Sequence, residues 1–170
     1  MISLIVAHDS QRGIGYQNKI PWYIPGEQKW VATTTKKVND PRCQNALIMG
    51  LNTWLSLPPE RRPLPGRLTI VISSSLVDDI EGVCVCRSIE DAIDRVNNDP
   101  LIETGFIFGG DSIYRQALEH GVVDELLTAE VPGTHEIDTF FPEIPLDFTC
   151  ISSEPMNYGE FTVIRHHYRK

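Results

Sequence analysis

Gly105-Phe106-Ile107-Phe108-Gly109-Gly110-Asp111-Ser112-Ile113-Tyr114, residues 105–114, passes from an apolar run through two glycines into a helical pattern. An apolar run without alternation reads as a strand covered on both faces, and Asp111 directly after the glycines reads as a helix start. Working outward, short apolar runs recur at residues 2–7, 46–49, 68–72, 83–86 and 125–130, with helical patterns at 27–38, 88–96 and 111–120. Ser88, followed three residues later by Asp91, is a cap-like opening for the second helix. Strand, helix, strand alternation implies right-handed crossovers and a mainly parallel sheet flanked by helices. Residues 148–153 and 161–168, joined by the turn-rich stretch 154–160, read instead as an antiparallel hairpin at one edge. No repeat, low-complexity tract or linker divides the chain, so the expectation is one α/β domain over residues 1–170. The longest irregular stretches, 8–24 and 56–66, are rich in Gly and Pro respectively, and loops of that length in a compact domain usually carry function.

The chain carries 15 basic and 23 acidic residues, a formal charge of −8. Such a field repels nucleic acid and anionic membrane, so neither is expected as a partner, and an anionic ligand must be held by local basic residues. Residues 1–10 lack a basic leader and read as a buried strand, and no run approaches the roughly 20 apolar residues that span a bilayer. Cys43, Cys84, Cys86 and Cys150 form no CxxC pair, and no second Cys or His pair has zinc spacing. They read as reduced thiols of a cytoplasmic protein, with no metal site.

Several stretches carry possible chemistry. Ile20-Pro21-Trp22-Tyr23-Ile24-Pro25-Gly26-Glu27 sets a carboxylate at the start of a helix, where the dipole favours it; a solvated first-turn acid would look the same. Leu47-Ile48-Met49-Gly50-Leu51-Asn52-Thr53-Trp54 reads as strand, glycine turn and a helix start whose free amides suit a phosphate. Arg62-Pro63-Leu64-Pro65-Gly66-Arg67 precedes a strand ending in Ser73-Ser74-Ser75. The Gly109-Gly110 pair permits close approach of a pyrophosphate, although the full G-x-G-x-x-G fingerprint is absent.

In this order, these segments resemble the dihydrofolate reductase family over essentially the whole chain. The resemblance runs from residues 1–7 through Gly13-Ile14-Gly15, Pro21-Trp22, Met49-Gly50, Thr53-Trp54, Pro63-Leu64-Pro65-Gly66-Arg67 and Gly109-Gly110 to Asp138-Thr139-Phe140-Phe141-Pro142. It implies an eight-stranded, mostly parallel sheet with an antiparallel C-terminal edge strand and four flanking helices. It also implies reduction of dihydrofolate by NADPH, hydride adding to C6 of the pterin while N5 gains a proton. On that resemblance Glu27 binds the pterin 2-amino group and N3, while Trp22 and Thr128 position the carboxylate and a proton-carrying water; for Thr128 a plain strand threonine is the equal alternative. Tyr114 belongs to the same catalytic group. Arg67 holds the α-carboxylate of the substrate's glutamate tail, which its planar fork of donors suits. Ala7, Ile14, Val31, Leu57 and Leu64 wall the pterin and aminobenzoyl pocket. Ala7, Ile14, Gly15 and Lys19 flank the nicotinamide, Asn52 and Thr53 the pyrophosphate, Ser73, Ser74 and Arg87 the adenosine phosphate, and Gly109, Gly110, Asp111, Ser112, Ile113 and Tyr114 the diphosphate and nicotinamide side. The Gly109–Gly110 peptide is cis in the family, and residues 9–24 form its lid. Antifolate inhibitors bind the same pocket, and a monomer is expected.

The chain departs from the family pattern in places. Leu51 stands where most relatives have Arg or Lys after the Met-Gly glycine, and Ser112 where many bacterial members have Arg, leaving Arg87 as the clear cation for a 2′-phosphate. Gln28 and Val31 resemble the helix start of some antifolate-insensitive bacterial members, which implies altered trimethoprim affinity. Two rival readings stand beside this one: a riboflavin-pathway pyrimidine reductase, which lacks the Pro-Trp to Glu27 arrangement, and a non-catalytic folate or nucleotide binder that kept the pocket.

Overall fold

The structure is a computed structural model that describes residues 1–77 and 80–170. Among the described residues, ten strands and four α-helices follow one another: β1 (Ile2–His8), β2 (Gly13–Gly15), α1 (Glu27–Lys36), β3 (Gln44–Gly50), α2 (Leu51–Ser56), β4 (Leu68–Ile72), β5 (Val83–Cys86), α3 (Ile89–Asn98), β6 (Ile102–Gly109), α4 (Asp111–Glu119), β7 (Glu125–Glu130), β8 (Thr139–Phe140), β9 (Thr149–Tyr158) and β10 (Phe161–Arg169). Eight of the strands make one sheet in the order β5-β4-β3-β6-β1-β7-β10-β9. The five pairings from β5 to β7 are all parallel, and β10 runs antiparallel to both β7 and β9.

The apolar runs become the central strands because both sheet faces are covered. Odd and even positions of each run enter different cores. Leu4, Val6, Ile48, Ile107 and Leu126 pack with α3 and α4 residues on one face. Ile5, Leu47, Met49, Phe106 and Trp54 pack on the other, beside α1 and α2. Helix α3 buries Ile89, Ala92, Ile93 and Val96, the spacing of a single stripe, and the Ser88 hydroxyl caps it by accepting from the Asp91 N–H at 3.1 Å. Helix α1 is different: its two buried residues, Glu27 and Thr35, are polar, while its half-buried Trp30 and Val31 pack against the apolar clusters.

Four expectations are corrected. The closing hairpin turns at residues 159–160, not over 154–160: β9 runs straight through Glu154, Pro155 and Asn157, and Tyr158 pairs with Phe161. Pro155 is tolerated because β9 is the outermost strand, and Gly159 (φ +64°) supplies the turn. The register of β10 against β9 also shifts between His167 and Tyr168. The loop after β1 is not wholly irregular, since Gly13–Gly15 pairs with Thr139–Phe140 in a small second sheet. Helix α1 ends at Lys36, two residues early, and β6 begins at Ile102, three residues before Gly105. Among the described residues, no helix is long and apolar enough to cross a membrane.

Candidate active site

A cavity of about 560 Å³ opens at the carboxyl ends of β1, β3 and β6, where open α/β sheets ordinarily bind ligands. Of the expected site residues, Ala7, Ile14, Gly15, Lys19, Val31, Asn52, Thr53, Gly109, Gly110, Asp111 and Tyr114 line it. Val31, Leu57 and Leu64 belong to one apolar cluster with Ile5, Met49 and Trp54; Ile5 and Val31 of it line the cavity, whereas Leu57 and Leu64 lie behind them. Ile14, Gly15, Asn18, Lys19 and Ile20, from the segment after β1, line the other side. Asp9 is fully buried; burial alone raises its pKa, but hydrogen bonds from the N–H groups of Gly13, Gln11 and His135 hold it below the ordinary carboxylate value. The Gln17 N–H donates to Asp138 Oδ2 at 2.9 Å, and Asn18 Nδ2 donates to the Asn52 carbonyl at 3.2 Å.

The Gly109–Gly110 peptide is cis, as the resemblance implies, and Gly109 has φ +124°, a conformation that favours glycine. A Cβ on Gly110 would lie 3.4 Å from Thr53 Oγ1, an ordinary van der Waals contact, so the glycine turn and Thr53 of α2 flank the same part of the cavity. The buried Tyr114 hydroxyl lies 2.9 Å from the Ile5 carbonyl and 3.0 Å from that of Phe108, tying β1 to β6. Burial raises its pKa, so it stays a proton donor to the main chain. Ile113 is core, and Ser112 Oγ accepts from Gln116 Nε2 at 3.0 Å.

Arg67 is buried directly before β4 and is not among the residues that line the cavity. It donates from Nε and Nη2 to the Pro65 carbonyl (3.1 and 2.9 Å) and from Nη1 to Thr35 Oγ1 (2.9 Å), fixing the loop before β4 to α1. At the far end of the sheet, Ser73 Oγ accepts from the Leu76 N–H at 3.1 Å, and Arg87 Nη1 donates to the carbonyls of Ser73 and Leu76 (2.6 and 3.0 Å). Ser73, Ser74 and Arg87 therefore form one turn, separate from the cavity.

Glu27 is buried on the inward side of α1, and its Oε1 accepts from Arg165 Nη2 at 3.0 Å. Arg165 lies in register with Ala129 on the neighbouring strand. Its guanidinium also donates to the Tyr158 hydroxyl and sits 4.5 Å above the Trp30 ring. Among the described residues, Glu27 Oε2 has no protein partner although it is fully enclosed. Trp22 packs near this group, against the Ile24, Ala129, Val131 and Val163 cluster, with its ring 5.1 Å from that of His135.

Thr128 is a correction. It pairs with Val6, which points into the α3/α4 core, while Ala7 and Ala129 point to the Glu27 side. Successive strand residues face opposite ways, so Thr128 lies across the sheet from Glu27 and does not position its carboxylate. Sequence reading missed Arg165, Tyr158 and Trp30 as neighbours of Glu27. Nothing local marks Arg165, because its meaning arises from the β7–β10 register.

Gly26, which caps α1 with φ +100°, is fixed by the same cluster: a Cβ there would come within 2.5 Å of Tyr158 Cε1. Gly26→Ala is expected to cost about 1–3 kcal/mol through backbone strain, with displacement of Tyr158 in addition. Thermal unfolding of the variant measures it, and an unchanged midpoint would refute it.

The sequence model of the dihydrofolate reductase family matches residues 1–170, and the chain belongs to that family. It is 34% identical over 175 residues to a dihydrofolate reductase of Aedes albopictus, covering 98% of this chain and 94% of that protein. It is likewise 34% identical over 172 residues to a dihydrofolate reductase of Drosophila melanogaster, with the same coverage. The match to a bifunctional dihydrofolate reductase-thymidylate synthase of Zea mays, 34% over 172 residues, covers 98% of this chain but 32% of that longer protein.

Proposed function

We propose that this protein reduces dihydrofolate to tetrahydrofolate with NADPH. The observation that carries the reading is the buried Glu27 carboxylate, one turn of α1 before the cavity-lining Val31, with Oε2 left without a partner among the described residues. A pterin offers two adjacent donors, the 2-amino group and N3–H, and a buried acceptor with none is what such a pair satisfies. By fixing the ring, Glu27 sets the tautomer and the direction from which C6 and N5 are approached. Ile5 and Val31 supply apolar wall, with Leu57 and Leu64 of the same cluster behind them, and Arg67 would supply the cation for a carboxylate-bearing tail, its remaining N–H groups being those not spent on Pro65 and Thr35.

The residues present fit a dinucleotide. Gly110 and Thr53 flank the part of the cavity that would take a diphosphate, Lys19 brings positive charge to it, and the Ser73–Ser74 turn with the Arg87 guanidinium that donates to it would take an adenosine phosphate. When bound, reduced nicotinamide supplies the hydride. Ala7, Ile14 and Gly15 would form the wall against which its ring is held, and the neighbouring Asn18 to Ile20 would limit the access of water to it.

The test is loss of reduced-nicotinamide absorbance by purified protein with dihydrofolate, run with NADPH and with NADH. Turnover with NADPH and little with NADH is expected. Equal rates would mean that Arg87 does not compensate for Leu51, and no turnover from folded protein that still binds folate would favour a non-catalytic binder.

A further inference from the structure

Glu27 does not stand alone. It makes an ion pair with Arg165, on a strand 138 residues later in sequence, and both side chains are largely withdrawn from solvent. Both are also incompletely satisfied: among the described residues, Glu27 Oε2 and Arg165 Nε are buried without partners. The guanidinium is locked in place by the Trp30 ring beneath it and by the Tyr158 hydroxyl. Burial first and the Glu27 charge second raise the pKa of that hydroxyl, with Arg165 opposing, so it remains neutral and adds no second negative charge. The small side chain of Ala129 lies alongside Arg165 and leaves room for it to reach α1.

We propose that Arg165 is a positioning and specificity-determining residue of this site: by engaging Oε1 of Glu27 it presents Oε2 to the ligand and biases the site toward neutral over cationic heterocycles. The inference rests on the proposal that Glu27 binds the pterin. A carboxylate with no cation beside it favours a ligand that arrives with a proton and a positive charge. A carboxylate already paired has its charge largely compensated, and an incoming cation meets the guanidinium behind it. A neutral ring that only needs an acceptor loses much less. The geometry also fixes orientation, because the Oε1–Nη2 bond and the stack on Trp30 prevent the carboxylate from rotating about its last torsion.

Pterin and 2,4-diaminopteridine are matched probes: they have the same ring frame, but only the diamino compound binds as a cation. Their dissociation constants are measured by quenching of the site tryptophans in the wild type, Arg165→Met, Arg165→Gln, Arg165→Lys and Glu27→Gln. Either neutral Arg165 variant is expected to shift the ratio of the two constants roughly tenfold toward the diamino compound, the lower end of what one adjacent opposite charge does to a carboxylate. Arg165→Lys, which keeps the charge, should hold the ratio near the wild-type value. Met retains the apolar stem over Trp30 and Gln retains a donor to Glu27, so the two neutral variants do not share one route to misfolding. A folded neutral variant with an unchanged ratio, while Glu27→Gln weakens both probes, would overturn the inference and leave Glu27's part intact. Glu27→Gln binding both probes as the wild type does would instead overturn the reading of Glu27 itself. A merely structural Arg165 would lower the unfolding midpoint without moving the ratio.

Discussion

Glu27→Gln is expected to lower turnover of dihydrofolate by roughly 10²- to 10⁴-fold at neutral pH, the range for losing a group that directs proton transfer. The substitution is nearly isosteric. A glutamine can keep a carbonyl oxygen toward Arg165 Nη2, so the ion-pair partner is not wholly abandoned and the fold should survive. The loss falls on the other side of the group. Where Oε2 accepted, an NH₂ now faces the pterin's own donors, so the ring loses both its anchor and its preferred tautomer. As pH falls, solution protons increasingly reach N5 without help, so the variant's rate should rise toward acid while wild type changes little. The check is kcat against pH for both proteins with dihydrofolate at saturation. A neutral-pH rate within a few-fold of wild type would remove Glu27 from the reaction.

Gly109→Ala should weaken NADPH binding by roughly ten- to a hundredfold. Gly109 has φ +124°, where an L side chain is strained by about 1–3 kcal/mol, and 1.4 kcal/mol is tenfold in affinity. The added Cβ would also lie 3.3 Å from Tyr114 Oη, against the hydroxyl that ties β1 to β6. Relief of that contact moves the turn, and the turn borders the cavity on the side given to the cofactor. Fluorescence titration with NADPH reads the effect, and circular dichroism separates it from unfolding. Unchanged affinity in a folded variant would mean that this turn is not the cofactor's cradle.

The parallel part of the sheet was legible because its strands need no partner to be recognised. Leu68–Ile72 and Val83–Cys86 are apolar without alternation, and such runs have little alternative to burial on both faces. The same property hid the facing of Thr128. In Leu126-Leu127-Thr128-Ala129 no polar and apolar alternation tells odd from even, so the choice between Thr128 and Ala129 as the residue facing Glu27 was undetermined until pairing with Val6 and Ala7 fixed it. The hairpin was misjudged for the opposite reason. Pro155, Asn157 and Gly159 are honest turn signals, but an outermost strand has half its backbone groups free and can carry a proline that an inner strand cannot. Glu27 itself was legible because a carboxylate beside proline-framed aromatics lies within one short segment. Arg165 was not, since only the antiparallel register of β10 on β7 brings it there.

That same outermost strand bears on behaviour in concentrated solution. Ten residues long and unaccompanied on one side, β9 offers the sort of straight margin onto which other chains can add and grow into aggregates. Pro155 breaks the run of main-chain donors midway, and the register shift at His167/Tyr168 bends the pair near one end. Together they divide a long adhesive margin into segments too short and too uneven for orderly stacking, so the residues that obscured the hairpin in the sequence also help to keep neighbouring molecules apart.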